Sequence, residues 1–241
     1  MRSLTLFLFL PALFFCRRSP EEMMPTPTPP VVTVLEKIDI LALGDSYTKG
    51  ESVAQAQNFP NQLADSLRAG GFDVAGLRVV AQTGWRTDNL QSALASPSQA
   101  SVLADSTFSL VTLCIGVNNQ YQNADFETYK KQFEELLQYA IARTGNRKER
   151  VVVLSIPDWA YTTVGQGSNP SLISPEIDAY NVANRALSEA YGVHYVNVTG
   201  VSRRGIAEPD LVAYDGLHPS AYQYTEWVRL LLPAVKTALK L

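Results

Sequence analysis

Two short stretches at opposite ends of the chain carry residue types that could do chemistry together. One is Gly44-Asp45-Ser46-Tyr47-Thr48, directly after an apolar run over 38–43; the other is Asp215-Gly216-Leu217-His218-Pro219. A serine hydroxyl becomes a nucleophile when a base takes its proton, and an imidazole base needs a partner that fixes its tautomer. Asp215 and His218 are three residues apart, within reach of each other in one turn, and the chain has only two histidines. The other, His194, lies in the alternating stretch 193–198 and reads as structural. A lone serine in a strand-to-helix turn is most often a helix N-cap. The distant Asp–His pair is what makes Ser46 a candidate nucleophile.

Attack on an acyl carbon builds negative charge on the carbonyl oxygen, which calls for fixed hydrogen-bond donors. Gly84, in Thr83-Gly84-Trp85, offers a backbone N–H that a substrate can approach closely. Asn118, in Gly116-Val117-Asn118-Asn119, offers a side-chain amide. Taken singly, each reads as turn chemistry; at the ends of successive strands, they read as an oxyanion site.

The elements that must position these residues alternate. Apolar runs predict strands over 38–43, 77–81, 110–115, 151–156 and 193–198. Helical spacing predicts a helix through Phe59, Leu63 and Leu67 stopped by Gly70-Gly71, another opened by Asp88, and a short one over 98–103. Longer helices follow over 126–143, 177–191 and 221–239. Alternation of this kind predicts an α/β fold with a five-stranded parallel sheet covered on both faces. Right-handed crossovers then send every strand's carboxyl end to one edge, where ligands bind in open α/β sheets. Ser46, Gly84, Asn118 and the Asp158 region collect there.

Asp158 and Trp159, which break the fourth strand, either line a substrate pocket or, for Trp159, pack the strand end. Trp85, next to Gly84, is a further pocket candidate. Asp45 is another candidate for the substrate pocket, or else it competes as an acid or bonds loop backbone beside Ser46. Arg203-Arg204 reads as a solvated face, and Tyr222, Tyr224 and Trp227 as helix packing. The stretch 161–175, rich in Gly, Ser and Asn, reads as a lid or a surface connection.

The chain has 241 residues, enough for one good-sized domain, and a formal net charge of -3 without a long basic run, which gives no reason to expect nucleic acid. Cys16 and Cys114 suggest no disulfide framework; Cys114 reads as a small core residue. No Cys/His cluster offers a metal site, and acyl transfer of this kind needs no cofactor. Arg2 precedes an apolar stretch over 4–15 that suits the h-region of an export signal and ends at Cys16. The segment 1–16 resembles a bacterial lipoprotein signal, which implies lipidation of Cys16. Leu13 suits that pattern, whereas Phe15 stands where a small residue is expected. A plain signal peptide and an uncleaved anchor are the alternatives, and all three place the domain outside the cytoplasm. The Pro/Thr-rich segment 17–33 reads as an extended linker, with the folded domain over 34–241.

In four ordered blocks the chain resembles the SGNH (GDSL) hydrolases: Gly44-Asp45-Ser46, Gly84, Gly116-Val117-Asn118 and Asp215-Gly216-Leu217-His218. The resemblance implies a flavodoxin-like three-layer α/β/α sandwich with Ser46 as nucleophile, His218 as base and Asp215 orienting it. It also implies an oxyanion hole from the backbone N–H groups of Ser46 and Gly84 and the Asn118 side chain. Many members carry Asp where this chain has Asn119. The stretches 115–121 and 155–159 look more like a bacterial branch of lysophospholipase-like esterases. Expected substrates are small-molecule, glycan or lipid esters. The α/β-hydrolase alternative expects Gly-x-Ser-x-Gly and an Asp far from its His, and neither is present. Carbohydrate O-deacetylation by the same machinery, and a non-catalytic surface-binding lipoprotein, are the competing functions.

Overall fold

The computed structural model describes residues 37–104 and 106–240. The Cys16 site, the whole linker 17–33 and the first residues of the expected domain, 34–36, lie outside the described residues. The chain enters through Ile38–Gly44 (β1), whose side chains are almost all buried. One helical turn, Ser46–Lys49 (α1), follows at once, and then Phe59–Ala69 (α2) and Val74–Ala81 (β2). Thr87–Ala95 (α3) and Pro97–Leu103 (α4) lead to Leu110–Cys114 (β3). Val117–Tyr121 (α5) and Phe126–Arg143 (α6) lead to Val151–Leu154 (β4). Thr163–Gln166 (α7) and Pro170–Tyr191 (α8) precede His194–Val196 (β5), and Thr199–Ser202 (α9) and Ala221–Leu239 (α10) close the described chain.

The strands form one sheet in the order β2-β1-β3-β4-β5, every pairing parallel. Central strands of a covered parallel sheet have no wet face, which is why Leu41, Leu43, Val111, Leu113 and Val153 are continuous hydrophobes without exposure. Helices α2 and α10 pack together, while α3, α6 and α8 form a second packed set, giving three α/β/α layers. The sequence-based strands differ from these by one to three residues at their ends. β2 begins earlier, at Val74, because it pairs with β1 from Ile38 onward.

One expectation fails. The stretch 161–175 is largely helical: α7 lies inside it and α8 starts at Pro170, seven residues before the predicted start. Proline at the first helical position leaves no hydrogen bond unmade, and Ile173, Ile177, Tyr180 and Asn184 bury one face of the helix. That burial holds the first turns helical despite Pro175. Among the described residues no helix is long and apolar enough to cross a membrane.

The order 2-1-3-4-5 reverses direction between β1 and β3, and a crevice opens outside their carboxyl ends. Ser46 follows β1 and Asn118 follows β3, so the fold sets the two blocks on either side of that crevice. Beneath the Ser46 turn lies an aromatic cluster. Trp227 and Tyr224 of α10 are fully buried with ring centroids 5.1 Å apart, and Phe59 and Tyr47 pack on Trp227 at 6.1 and 6.2 Å. Burying one such indole is favourable by on the order of 5 kcal/mol before entropy is counted, so α10 anchors the turn firmly. Tyr222, by contrast, is half exposed.

Candidate active site

Ser46 is the first residue of α1. Asp45 caps that turn, its Oδ1 accepting from the Tyr47 amide at 3.0 Å, which fixes the backbone on either side of the serine. His218 sits on a tight loop closed by the Ala213 N–H to His218 carbonyl bond at 2.7 Å and by the bridge between Val212 and Pro219. Inside that loop Asp215 does two jobs. Its Oδ1 accepts from the amides of Leu217 (2.9 Å) and His218 (3.0 Å), and its Oδ2 lies 2.6 Å from His218 Nδ1. The ring is therefore held by its Nδ1 edge, which leaves Nε2 for a reacting group.

Gly84 stands at φ +83°, a conformation that side chains disfavour, and open space lies where a Cβ would project. Its backbone is thus approachable from the pocket. Gly116, at φ +130°, starts the turn into α5; a Cβ there would run into the Tyr129 hydroxyl and Ile156. Asn118 Nδ2 donates to the Trp85 carbonyl at 3.0 Å, and Gln122 donates to the Gly84 carbonyl at 3.2 Å. The loop that carries Gly84 and the helix that carries Asn118 are thereby tied to each other.

Ser46, Gly84, Asn118 and His218 line one pocket of about 180 Å³, with Asp215 behind the imidazole. Tyr47, Val117, Tyr121, Trp159 and Leu217 supply its apolar wall, and Thr83 completes it. Trp159 is held there by its Nε1–H donating to Gln120 Oε1 at 2.8 Å and by an edge-on contact with Tyr121 at 5.4 Å.

Three other candidates do not line it. Asp45 is buried and turned inward as the cap of α1. Trp85 packs its ring against the hydrophobic core and offers only its carbonyl, to Asn118. Asp158 is fully buried, capping the turn at Ala160 and accepting from Arg203 Nε at 3.0 Å. Arg203 is accordingly an ion-pair partner of Asp158 and Asp178, not part of a solvated face. His194 sits on β5 opposite Val152, and Cys114 is a buried free thiol on β3. Among the described residues no three Asp, Glu, His or Cys side chains are grouped to hold a metal.

One contact of Asp215 had no signal in the sequence. Ser52 Oγ donates to Asp215 Oδ2 at 2.6 Å across a separation of 163 residues. Its neighbour Glu51 accepts from Thr83 Oγ1 and from Lys49 Nζ, the latter at 3.0 Å. Burial pushes the Asp215 carboxyl up, but the Ser52 hydroxyl, the His218 ring and the two amides outweigh it and hold Asp215 well below the usual carboxylate range. Asp45 goes the other way: burial raises it to about 7 against the opposing pull of the Tyr47 amide. Asp215, beside the imidazole, is thus pushed toward the ionised form, whereas Asp45, beneath the Ser46 turn, is pushed toward the neutral one.

A parallel α/β/α sandwich with a serine-bearing, largely apolar pocket at the carboxyl edge of its sheet defines the class. The chain belongs to the GDSL-like lipase/acylhydrolase family, whose model matches residues 42–225. It is an ester hydrolase of the serine esterase type. No curated protein matches the chain. Solved structures share the fold at low identity. TesA matches with a TM-score of 0.65 and 17% identity, covering 83% of this chain and 99% of its own. A psychrotrophic esterase, EstA from Pseudoalteromonas sp., gives 0.62 and 17%, with 85% and 100% covered. A family 3 carbohydrate esterase from Clostridium thermocellum gives 0.65 and 16%, with 85% and 98% covered.

Proposed function

We propose that the enzyme cleaves short-chain acyl esters through an acyl-enzyme on Ser46. The observation that carries this reading is the 2.6 Å contact between Asp215 and His218 Nδ1, with His218, Ser46, Gly84 and Asn118 on one pocket. His218 Nε2 takes the Ser46 proton as Oγ attacks the ester carbonyl, and ionised Asp215 stabilises the imidazolium that forms. The oxyanion is received by the Ser46 and Gly84 backbone N–H groups and by the second N–H of the Asn118 amide. His218 then passes its proton to the leaving alkoxide. Water, activated by the same ring, releases the acid.

Pocket size supports the short chain. A volume of about 180 Å³ is close to the ~150 Å³ cavity that accepts one benzene, and below the ~300–1,000 Å³ of drug-sized sites. Only the first few carbons of an acyl chain lie within that volume, and a longer chain would run out over its open rim. Tyr121, 62% exposed on the pocket rim, presents an aromatic face on which a sugar ring can stack. That favours carbohydrate O-deacetylation as the second reading, and a carbohydrate esterase shares the fold.

Hydrolysis of p-nitrophenyl esters from acetate to palmitate, with Ser46→Ala alongside, tests the proposal. Turnover is expected to peak between acetate and butyrate and to vanish in the variant. A rate that holds to palmitate overturns the short-chain reading, and parent-like turnover by Ser46→Ala overturns the nucleophile. Acetate release from an acetylated polysaccharide then decides between the two readings. We also propose export and tethering through lipid on Cys16, supported by the apolar stretch 4–15; labelled palmitate incorporated by the parent should be lost in Cys16→Ala.

A further inference from the structure

Asp215 is fixed from two directions, and only one of them belongs to its own loop. Within the loop, Oδ1 takes two backbone amides and Oδ2 meets His218 Nδ1. From the turn after α1, the Ser52 hydroxyl reaches the same Oδ2 at the same 2.6 Å. Ser52 does so from φ +65°, in the left-handed region that favours glycine. A surface turn with no further duty would place Gly or Asn there. A serine in that conformation carries backbone strain, and strain of this kind persists where surrounding contacts over-determine it. The hydroxyl on Asp215 is such a contact.

We infer that Ser52 is a positioning residue of the active site, which orients Asp215 against His218 through its hydroxyl. The inference rests on the assignment of Asp215 and His218 to the catalytic pair. With four donors on two oxygens, the carboxylate plane cannot rotate without breaking contacts at both ends, so the imidazole is held for attack by Ser46. The neighbouring Glu51 strengthens the arrangement by bonding Thr83, the residue before Gly84. The turn 50–53 thus touches both the loop of the Asp–His pair and the loop of Gly84. Groups facing the His218 ring are Asp215 from its own loop, Tyr47 of α1 edge-on at 5.9 Å, and the Glu51 carboxylate.

Ser52→Gly and Ser52→Ala test this in the full-length protein. Glycine suits the backbone conformation, so that variant keeps the fold while losing the hydroxyl. Kinetics are measured with p-nitrophenyl acetate across pH, beside Ser46→Ala. Both Ser52 variants are expected to lower kcat about tenfold with KM within twofold. The acid limb of kcat/KM should move to higher pH, because a carboxylate short of one donor favours the protonated ring more strongly. A readout free of turnover is the low-field Nδ1–H proton resonance of His218, assigned with His194→Gln. It is expected to be sharp in the parent and broadened in both variants. Parent-like kcat, pH profile and resonance in the two variants would overturn the inference, as would a change confined to KM. If Ser46→Ala keeps parent turnover, the catalytic assignment fails on its own, and the resonance still decides whether Ser52 holds the pair.

Discussion

The Asn118 amide has two N–H bonds, and the Trp85 carbonyl 3.0 Å away takes one of them. That bond stops the side chain from turning and leaves its second N–H free, at a residue that lines the same pocket as Ser46 and Gly84. Removing one such donor from an oxyanion site costs about 10²–10³-fold in kcat, because the lost interaction exists mainly in the transition state. Asn118→Ala is therefore expected to lower kcat by about that factor with KM nearly unchanged. Steady-state kinetics with p-nitrophenyl acetate check it, and a parent-like kcat would remove Asn118 from the machinery. Asn118 and Gly84 reach one pocket because each follows a parallel strand whose carboxyl end lies at the same sheet edge, which the order of strands and helices foretold. Asp45, Trp85 and Asp158 misled for a common reason. Each adjoins a pocket residue in sequence, and adjacency does not say which way a side chain turns. Asp45 turns in to cap α1, Trp85 packs on the core, and Asp158 meets Arg203.

Among the elements, α6 and α10 could be read to the residue, since their apolar positions recur at helical spacing along the whole length. The start of α8 could not. Pro170, Pro175 and the polar residues between them carry a loop signal, and only tertiary burial of Ile173 and Ile177 reverses it. The departure at Asn119 also becomes intelligible at this scale. Asn119 is buried, its Oδ1 accepts from the Thr87 amide at 3.0 Å, and its Nδ2 donates to Thr87 Oγ1 at 2.8 Å. Thr87 Oγ1 in turn donates to Gln132 at 2.6 Å, so one amide links α5 to α3 and onward to α6. An aspartate there has no N–H, and the single hydroxyl proton of Thr87 cannot serve both it and Gln132. Asn119→Asp is accordingly expected to cost about 1–3 kcal/mol, the usual penalty for a buried polar group left without its partner. Urea unfolding at pH 7 measures it; an unchanged midpoint would mean that the α3–α5–α6 link does not depend on this bond.

For the molecule as a whole, the two carboxylates near the nucleophile set opposing trends of stability with pH. Asp215, held below its ordinary value, stabilises the native state above the unfolded pKa near 3.8 and loses that contribution as pH falls below it. Asp45, raised from 3.8 to about 7, works in the opposite sense. Below about pH 4 both states carry its proton and it contributes nothing. Between about pH 4 and 7 the unfolded chain releases the proton while the native state keeps it, so the native state binds more protons and stability declines as pH rises. Above 7 the full cost of a buried charge is present, offset only in part by the backbone N–H groups of Tyr47 and Gly116. Asp45→Asn keeps an oxygen to cap the Tyr47 amide and removes the charge. The parent should therefore lose on the order of 3 kcal/mol between pH 4.5 and 7.5 that the variant does not lose. Urea midpoints of the two proteins at those pH values give the difference directly. A gap that widens with pH supports a carboxyl kept neutral beneath the nucleophile. Parallel profiles would mean that Asp45 is already ionised at pH 4.5, and that the turn holding Ser46 tolerates a buried charge.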